Sequence, residues 1–438
     1  MTKSIAAPIL AAWLAVVTAV AVAGEPAASI AISDLTDLTA ACDAATNEQG
    51  VHGGTQNRIC RTSHGTYATF LGDGEAKTPV VHLIRIRDDR PERLATIPST
   101  LHGSNGVHVV CDPDEEVFVL APGVASVNRR EHARLSAFHV DRRTGETTEP
   151  QAEVPFGRGI NFGYSSTFLD RAGRSVYALY SGGDAPGYCG WFRFDMAEKR
   201  WASESVVAEL NYRHCYNYGF PAGDGAVVIA ERDILNETAG VLPTDTNRKI
   251  DARYVWDEIR LFHIPDLGRP EYSSVDVEAA VYDKPAGLYP NLQNNYGGDA
   301  FVDAQGRTHV FYVSIDNNHK EGRFNRHAVL DAERRVVSNE LLPFQGAYAV
   351  RAAQSRSGRL YLIVMSYEQP AAVEVWGAVD AEPLRFEKLA EKRLSETVVP
   401  KYAGLAVSCP RNGSLQDDRV DCLFPSGRSY YHFRIELE

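Results

Sequence analysis

The residues best placed to do chemistry lie between Tyr212 and Asp233, in the segment YRHCYNYGFPAGDGAVVIAERD. An aromatic run of alternating character, Cys215 to Pro221, is followed by a glycine-containing turn and by the β-branched run Ala226 to Ala230. This pattern predicts a β-hairpin that folds at Gly223–Asp224. Facing positions of such a hairpin lie close enough for their side chains to interact.

The predicted register places Tyr216 opposite Glu231 or Arg232, with His214 close by. A phenol has an ordinary pKa near 10, which a neighbouring guanidinium lowers. Arginine also binds carboxylates through its two-pronged fork. If a uronic acid binds here, Arg232 would stabilise the developing enolate while Tyr216 or a histidine takes the C5 proton, which is a β-elimination. The alternative is that Arg232 only pairs with Glu231 or Asp233 and that Tyr216 is packing.

Other histidines add to this set. His102 leads the second repeat in the segment His-Gly-Ser-Asn-Gly, and either His102 or His214 is a candidate base or carboxylate ligand. His64 is a weaker candidate, and His319 follows a strand that would end near the same place. A single histidine that leads a strand also has a purely structural explanation.

Composition sets broad limits. The 438 residues are 44% hydrophobic and 23% charged, as in an ordinary soluble globular protein. The net charge of −12 argues against general nucleic-acid binding but not against a local basic pocket for an anionic ligand. Residues 1–23 are predicted to be a signal peptide, with Lys3, an apolar run and an Ala-Val-Ala cleavage site, so we expect a secreted or periplasmic protein that has no membrane segment after cleavage. An uncleaved anchor is the alternative.

Export permits disulfides, and the seven cysteines leave at least one thiol unpaired. The pairings expected from their spacing are Cys42–Cys60, Cys189–Cys215 and Cys409–Cys422, with Cys111 as a free, buried thiol.

A strand–turn–strand pattern recurs at intervals of roughly 40 to 60 residues, which is typical of a β-propeller. Residues 24–57 are expected to close or cap the fold, and residues 58–438 to form one catalytic propeller of seven blades. The alternatives are six or eight blades, or a pair of β-sandwich domains. A wider gap after the fourth copy, Leu235 to Trp256, predicts an inserted loop. The copies begin near His64, Asn105, Tyr164, Tyr216, Tyr296, Tyr348 and Tyr402.

Three of the hairpin turns share one pattern, in which a glycine precedes an arginine. Glycine at that position would supply the positive φ that a tight hairpin needs. The three turns are Asp170–Arg174, Asp303–Arg307 and Ser355–Arg359.

The residues that lead into the innermost strands of a propeller converge at one mouth of its channel. Here they are rich in amides, phenols and cations, which suit the hydroxyls and C–H faces of a sugar. Packing of one blade on the next is the alternative role for each of them. The candidate substrate-binding residues are Asn105, Asn161, Tyr164, Asn294, Tyr296, His319, Tyr348 and Lys401.

The leading Tyr216, the arginine sixteen residues later and the His-Gly and Asn-rich strand leads resemble the ulvan lyases and the wider group of BNR-repeat, sialidase-like propellers. This resemblance implies seven blades and lyase action on a uronate-containing, sulfated polysaccharide. It assigns the tyrosine role to Tyr216, the carboxylate-binding role to Arg232 and the base-type histidine role to His102. The sequence departs from the ulvan lyases in one respect, since their second active-site histidine cannot be placed.

Two other functions remain open at this point. A sialidase-type hydrolase would need an arginine trio that we cannot assemble, and a non-catalytic glycan-binding propeller would use the same mouth. No redox cofactor is required for the lyase chemistry. Asp299, Asp303 and Asp316 are candidate ligands for a structural calcium or zinc ion, but the favoured interpretation is that they are solvated carboxylates in turns. We expect a monomer whose partner is an anionic polysaccharide.

Overall fold

The computed structural model describes most of the chain. The predicted signal peptide lies outside them, and no helix among them is long and apolar enough to cross a bilayer. The described residues are 30–44, 46, 56–74, 78–98, 106–124, 133–149, 154–155, 160–170, 172–182, 187–210, 213–235, 254–269, 271–280, 290–293, 298–316, 323–346, 349–366, 370–381, 384–400 and 404–437.

The described chain is almost entirely β-structure, with one short α-helix and a 3-10 helix at Pro410–Asn412. In chain order the elements are β1 (Ala31–Ile32), β2 (Thr36–Asp37), α1 (Leu38–Ala41), β3 (Ile59–Thr62), β4 (Gly65–Asp73), β5 (Pro79–Arg87), β6 (Arg90–Pro98), β7 (His108–Cys111), β8 (Val117–Val124), β9 (Ala133–Val140), β10 (Thr147–Thr148), β11 (Val154–Pro155), β12 (Ile160–Leu169), β13 (Ser175–Gly182), β14 (Gly187–Asp195), β15 (Arg200–Leu210), β16 (Arg213–Ala222), β17 (Gly225–Leu235), β18 (Tyr254–Ile264), β19 (Ser273–Ala279), β20 (Pro290–Gln293), β21 (Asp299–Val302), β22 (Thr308–Asp316), β23 (Arg323–Leu330), β24 (Val336–Leu341), β25 (Ala349–Gln354), β26 (Leu360–Met365), β27 (Ala372–Ala381), β28 (Leu384–Arg393), β29 (Ala406–Val407), β30 (Arg419–Ser426) and β31 (Ser429–Glu436).

These strands form seven antiparallel sheets, which confirms the predicted seven-bladed β-propeller. Blades 1 to 6 follow the chain as β3–β6, β7–β11, β12–β15, β16–β19, β20–β24 and β25–β28. Blade 7 combines β29–β31 with β1 and β2 from the start of the described chain. Blades 1 to 4 and blade 6 each begin with their innermost strand. In blade 5, β20 and β21 both pair with β22, and in blade 7 the innermost strand is β29.

The glycine turns have the predicted conformation. Gly173, Gly306 and Gly358 have φ values of 67°, 76° and 87°. Each glycine N–H donates to the carbonyl oxygen three residues earlier, as in Gly306 to Asp303 at 3.0 Å. A β-carbon is disfavoured at such φ values, so glycine at this position fixes the hairpin and with it the register of each blade.

The hydrophobic core lies between successive blades. On blade 4, Tyr218 and Ile229 belong to a cluster with Val310 and Ala328 of blade 5. Because side chains alternate across a strand, the intervening Ala230 faces the opposite way, in a cluster with residues of blade 3. Burial on both faces of each sheet holds the ring of blades together.

The structure corrects the predicted start of blade 1. His64 does not lead an inner strand but lies in the two-residue turn between β3 and β4, where its Nε2 is 3.3 Å from Glu115 Oε2. The inner strand is the short segment β3, four residues long, which the repeat pattern missed.

Two of the predicted cysteine pairs, Cys42–Cys60 and Cys409–Cys422, are not formed in the structure. In this structure the six described cysteines are free thiols. The sulfur next to Cys60 is that of Cys111, at 2.6 Å, rather than that of Cys42. Cys409 and Cys422 are likewise unbonded, and the side chain of Cys215 lies outside the described part.

Candidate functional site

The hairpin of blade 4 folds at the predicted turn. Ala222 pairs with Gly225, and the two strands remain in register as far as Tyr218 and Ile229. Beyond this point the register shifts, so that Cys215 pairs with Glu231 and His214 with Arg232. This confirms that the start of β16 and the end of β17 lie at the same end of the sheet.

Tyr216 lies in the resulting β-bulge. Between the flanking pairs, Tyr216 and Asn217 together oppose Ala230, one residue from Glu231 and two from Arg232, the two predicted partners. The φ of Tyr216 is 54°, a left-handed value that a bulky side chain rarely adopts. Its side chain is only 3% exposed. A bulge re-aims a side chain, and strained backbone of this kind concentrates at functional sites.

Asn217, the other residue of the bulge, is fully buried against blade 3. Its Nδ2 donates to Ser181 Oγ at 3.2 Å and to Tyr180 O at 3.4 Å. The bulge is thus anchored to the neighbouring blade, which helps to offset the cost of the Tyr216 conformation. This supporting role of Asn217 was not predicted from the sequence.

Arg232 is held by two carboxylates of its own blade. Its Nε and Nη2 donate to the two oxygens of Asp257 at 2.6 and 2.8 Å, a bidentate pair. Its Nη1 is 3.1 Å from Glu258 Oε2, and Glu258 in turn contacts Arg260 at 2.6 Å. Glu231 and Asp233 were the partners predicted for a purely structural Arg232. The two carboxylates that pair with Arg232 in these contacts, Asp257 and Glu258, lie on β18 instead. The Arg232 side chain remains 23% exposed while that of Asp257 is 4% exposed, so the guanidinium has a fixed orientation near the surface.

The other predicted site residues are described only in part. The backbones of His214, Asn161 and Tyr164 lie in the inner strands β16 and β12, and Asn161 pairs with Ser181, but their side chains lie outside the described part. Seven further candidates fall outside the described residues altogether, and their roles stay predictions. They are His102, Asn105, Asn294, Tyr296, His319, Tyr348 and Lys401.

A second polar cluster, which sequence analysis missed, lies inside the channel. Arg411 of the 3-10 helix is 8% exposed, and its Nη1 is 2.8 Å from Asp299 Oδ1. Its guanidinium carbon also lies 5.0 Å from the ring centre of Tyr218 and 5.4 Å from that of Phe220, as in a cation–π contact. We call Arg411, Asp299, Tyr218 and Phe220 the channel floor.

The segment that carries Arg411 is tied to several blades. Asn412 Nδ2 donates to Ile59 O at 2.5 Å, and Leu415 N donates to Arg61 O at 3.0 Å. A β-carbon on Gly413 would lie 1.8 Å from the carbonyl oxygen of Cys111. The channel floor is therefore a close-packed joint between blades, whose members are too far apart in sequence for a local motif to reveal.

His108 lies at the start of β7 and is fully buried, with its Nδ1 accepting a hydrogen bond from Asn57 N at 3.1 Å. Burial, with Arg58 and Arg411 adding to it, lowers the pKa of His108 to about 3. The imidazole is therefore neutral at physiological pH and acts as a hydrogen-bond acceptor. The segment His-Gly-Ser-Asn-Gly-Val-His contains this residue, but sequence analysis selected His102 instead.

A cavity of about 490 Å³ opens beside the channel floor. Its walls are hairpin turns and the ends of inner strands, whereas Tyr216 lies near the start of β16, about 15 Å away along the strand. The cavity is thus at the end of the inner strands opposite to the predicted mouth. Lining residues include Asp112, Asp170, Pro221, Phe301, Gln354 and Arg411.

The candidate metal ligands have other partners where their side chains are described. Asp299 accepts from Ala300 N and pairs with Arg411, while Asp303 Oδ2 is 2.7 Å from Arg307 Nε and 3.2 Å from His309 Nε2. Among the described residues no group of three or more His, Cys, Asp or Glu is arranged to hold a metal ion. The side chain of Asp316 lies outside that part of the chain.

Known proteins share the fold of this chain. No protein-family profile and no curated protein sequence matches it. The solved structures that resemble it include one of a polysaccharide lyase PL25 ulvan lyase bound to -[GlcA(1-4)Rha3S]- and one of a PL25 ulvan lyase. Each has a TM-score of 0.58 and 11% identity, and each alignment covers 89% of this chain and 93% of the other. At this identity the likeness is one of fold.

Proposed function

We propose that the protein is a secreted or periplasmic polysaccharide lyase that cleaves a uronic-acid-containing polymer by β-elimination. The observation that carries this proposal is the register of blade 4, which sets His214 directly opposite Arg232 with Tyr216 in the adjoining bulge. A base, a phenol and a carboxylate-binding cation at one sheet end are the groups that such an elimination needs. The shared fold with an ulvan lyase supports the same chemistry.

The reaction would proceed without net uptake of water. A base removes the proton on C5 of the uronate, and the electron pair moves into the carboxylate to form an enolate. Collapse of the enolate breaks the bond between C4 and the glycosidic oxygen, and an acid protonates that oxygen. The products are a new chain end and a uronate with a double bond between C4 and C5. Tyr216, His214 and His102 are the candidate acid and base.

Arg232 would stabilise the enolate through its charge. The bidentate contact with Asp257 fixes the plane of the guanidinium before substrate arrives, so less ordering is needed in the transition state. The chemistry requires no redox cofactor, and we expect an anionic, ulvan-like sulfated polymer as substrate and a monomeric enzyme.

The test is an assay of purified protein with ulvan, alginate, pectate and glycosaminoglycans, followed by ultraviolet absorbance of the unsaturated uronate. Tyr216→Phe should lower kcat by about 10²- to 10⁴-fold and leave substrate binding intact. The matched control is Tyr430→Phe, since Tyr430 is equally buried in blade 7 and its hydroxyl makes no hydrogen bond among the described residues. Equal turnover in wild type and Tyr216→Phe would remove Tyr216 from the mechanism.

A non-catalytic glycan-binding propeller is the second candidate. Two observations favour it, namely the near-complete burial of Tyr216 and the two carboxylates already paired with Arg232. This function predicts that a polymer binds, as measured by calorimetry, while no absorbance develops with any of the substrates. Absorbance that grows with time would exclude it.

A further inference from the structure

Two buried cysteines meet at the junction of blades 1 and 2. The sulfurs of Cys60 on β3 and Cys111 on β7 are 2.6 Å apart, and both residues are 0% exposed. Strands β3 and β7 are the innermost strands of adjacent blades, so this contact lies beside the channel. It joins parts of the chain that are 51 residues apart.

The environment of this pair is apolar. Both cysteines belong to a core cluster with Tyr67, Val109 and Val119. Burial, and then the Cys111 thiol itself, raise the pKa of the Cys60 thiol well above its usual range. Two neutral thiols form only a weak hydrogen bond, because sulfur is a poor donor and a poor acceptor. A weak hydrogen bond does not account for an approach within about 0.6 Å of a covalent S–S bond.

A metal ion does not account for the contact either. Among the described residues the pair is not part of any group of three or more potential ligands arranged around an ion. Isolated pairs of thiolates in an apolar core would also carry an uncompensated charge. A covalent bond removes both thiols and leaves an apolar group that fits this core.

We propose that Cys60 and Cys111 form a disulfide in the exported protein and that this disulfide joins blade 1 to blade 2. The inference is independent of the proposed enzymatic function. The predicted signal peptide at residues 1–23 would deliver the chain to a compartment in which disulfides persist.

The bond forms by thiol–disulfide exchange with an external disulfide, such as oxidised glutathione or the disulfide of an oxidoreductase. The thiolate of one cysteine attacks the external disulfide and releases one thiol. The second cysteine then attacks the mixed disulfide and releases the other thiol. The two cysteines lose two protons and two electrons in total, and the external disulfide is reduced to two thiols. Because both sulfurs are inaccessible in the folded ring, exchange precedes the final packing of blades 1 and 2.

The first experiment maps the bond directly. The full chain with its own leader is expressed for export, purified without reductant, denatured in excess N-ethylmaleimide, digested and analysed by mass spectrometry. We expect a peptide pair linked through Cys60 and Cys111 that separates after treatment with dithiothreitol. Alkylation of both cysteines in the unreduced protein, or a link from Cys60 to Cys42 or Cys409, would overturn the proposal.

The second experiment measures what the bond does. Cys60→Ala and Cys111→Ala should each lower Tm by about 5 °C, and the double variant should lose no more than either single variant, since all three lack the same crosslink. Cys422→Ala is the matched control, because Cys422 is also 0% exposed but lies in blade 7 away from the pair. Reduction before unfolding should lower Tm of the wild type and of Cys422→Ala only. Additive losses in the double variant would contradict a crosslink even if every variant folds.

Discussion

Strand β16 runs between two arginines that are used in different ways. Near its start, Arg232 pairs with Asp257 of the same blade, 25 residues away, and keeps 23% of its side chain exposed. Near its end, Arg411 reaches in from blade 7, pairs with Asp299 of blade 5 across 112 residues and is 8% exposed. The difference separates a local, partly exposed ion pair within one blade from a buried ion pair that connects blades.

The largest effect is expected at the channel floor. Replacing Arg411 by Met leaves the Asp299 carboxylate buried without its partner, so the free energy of unfolding should fall by about 3–5 kcal/mol in chemical denaturation. Adding Asp299→Asn should recover part of this loss. The surface variant Arg335→Met, which breaks exposed ion pairs, should change stability by less than about 1 kcal/mol. An equally small loss at Arg411 would erase the contrast between the two arginines.

At the other arginine we expect a kinetic effect instead. Arg232→Lys keeps the charge but loses the planar fork, so kcat on the cleaved polymer should fall about 10²- to 10³-fold, equivalent to about 3–4 kcal/mol. Arg260→Lys is the control, because Arg260 belongs to the same ion-pair network and is 20% exposed. Steady-state kinetics should leave this control near wild type. Equal losses in both variants would assign Arg232 to the structure of the blade.

Two glycines differ in the same way. Gly413 in the channel floor segment and Gly223 in the hairpin turn both have positive φ, at 85° and 62°. Gly413→Ala adds a backbone clash to the strained φ and should cost about 2–3 kcal/mol of unfolding free energy. Gly223→Ala meets open space and should cost about 1 kcal/mol. A smaller loss at Gly413 than at Gly223 would mean that the joint is loosely packed.

The last prediction concerns the dependence of stability on pH. The pKa of His108 falls from 6.5 to about 3 on folding, so between these values the unfolded chain binds a proton that the folded chain does not. The stabilisation is complete above pH 6.5 and is lost as the pH falls toward 3. In His108→Asn the slope of unfolding free energy against pH should decrease by about 1.4 kcal/mol per pH unit near pH 5. Identical slopes for the two proteins would show that His108 is not buried as a neutral group.

The sequence was informative where structure is local. Alternating strands and the glycine turns at Gly173, Gly306 and Gly358 predicted the fold and the number of blades, because each hairpin contains its own signals. The hairpin around Gly223 was predicted to within one residue at Tyr216. The one-residue error in register comes from the β-bulge at Tyr216 and Asn217. This bulge depends on the contact of Asn217 with blade 3, which the sequence of the hairpin does not show.

Contacts that depend on closure of the ring could not be predicted. The pair Arg411–Asp299 and the contact of Asn412 with Ile59 join residues far apart in sequence, and no spacing rule connects them. Cysteine pairs were predicted from proximity along the chain, so Cys409 was assigned to Cys422 and Cys60 to Cys42. The neighbour of Cys60 comes instead from the adjacent blade.

Blade 7 is built from strands near the two ends of the described chain, which affects how the protein folds during synthesis. Ser33 Oγ accepts a hydrogen bond from Arg434 N, across 401 residues, and β1 pairs with the outer edge of β31. Residues 31–37 leave the ribosome long before their partner strand exists. Pairing them with β31 closes the longest loop of the chain, so we expect this contact, with its large cost in chain entropy, to form last. Until translation reaches residue 436, the growing chain has an unpaired strand edge at each end of an open arc of blades, and that is when it is most exposed to aggregation.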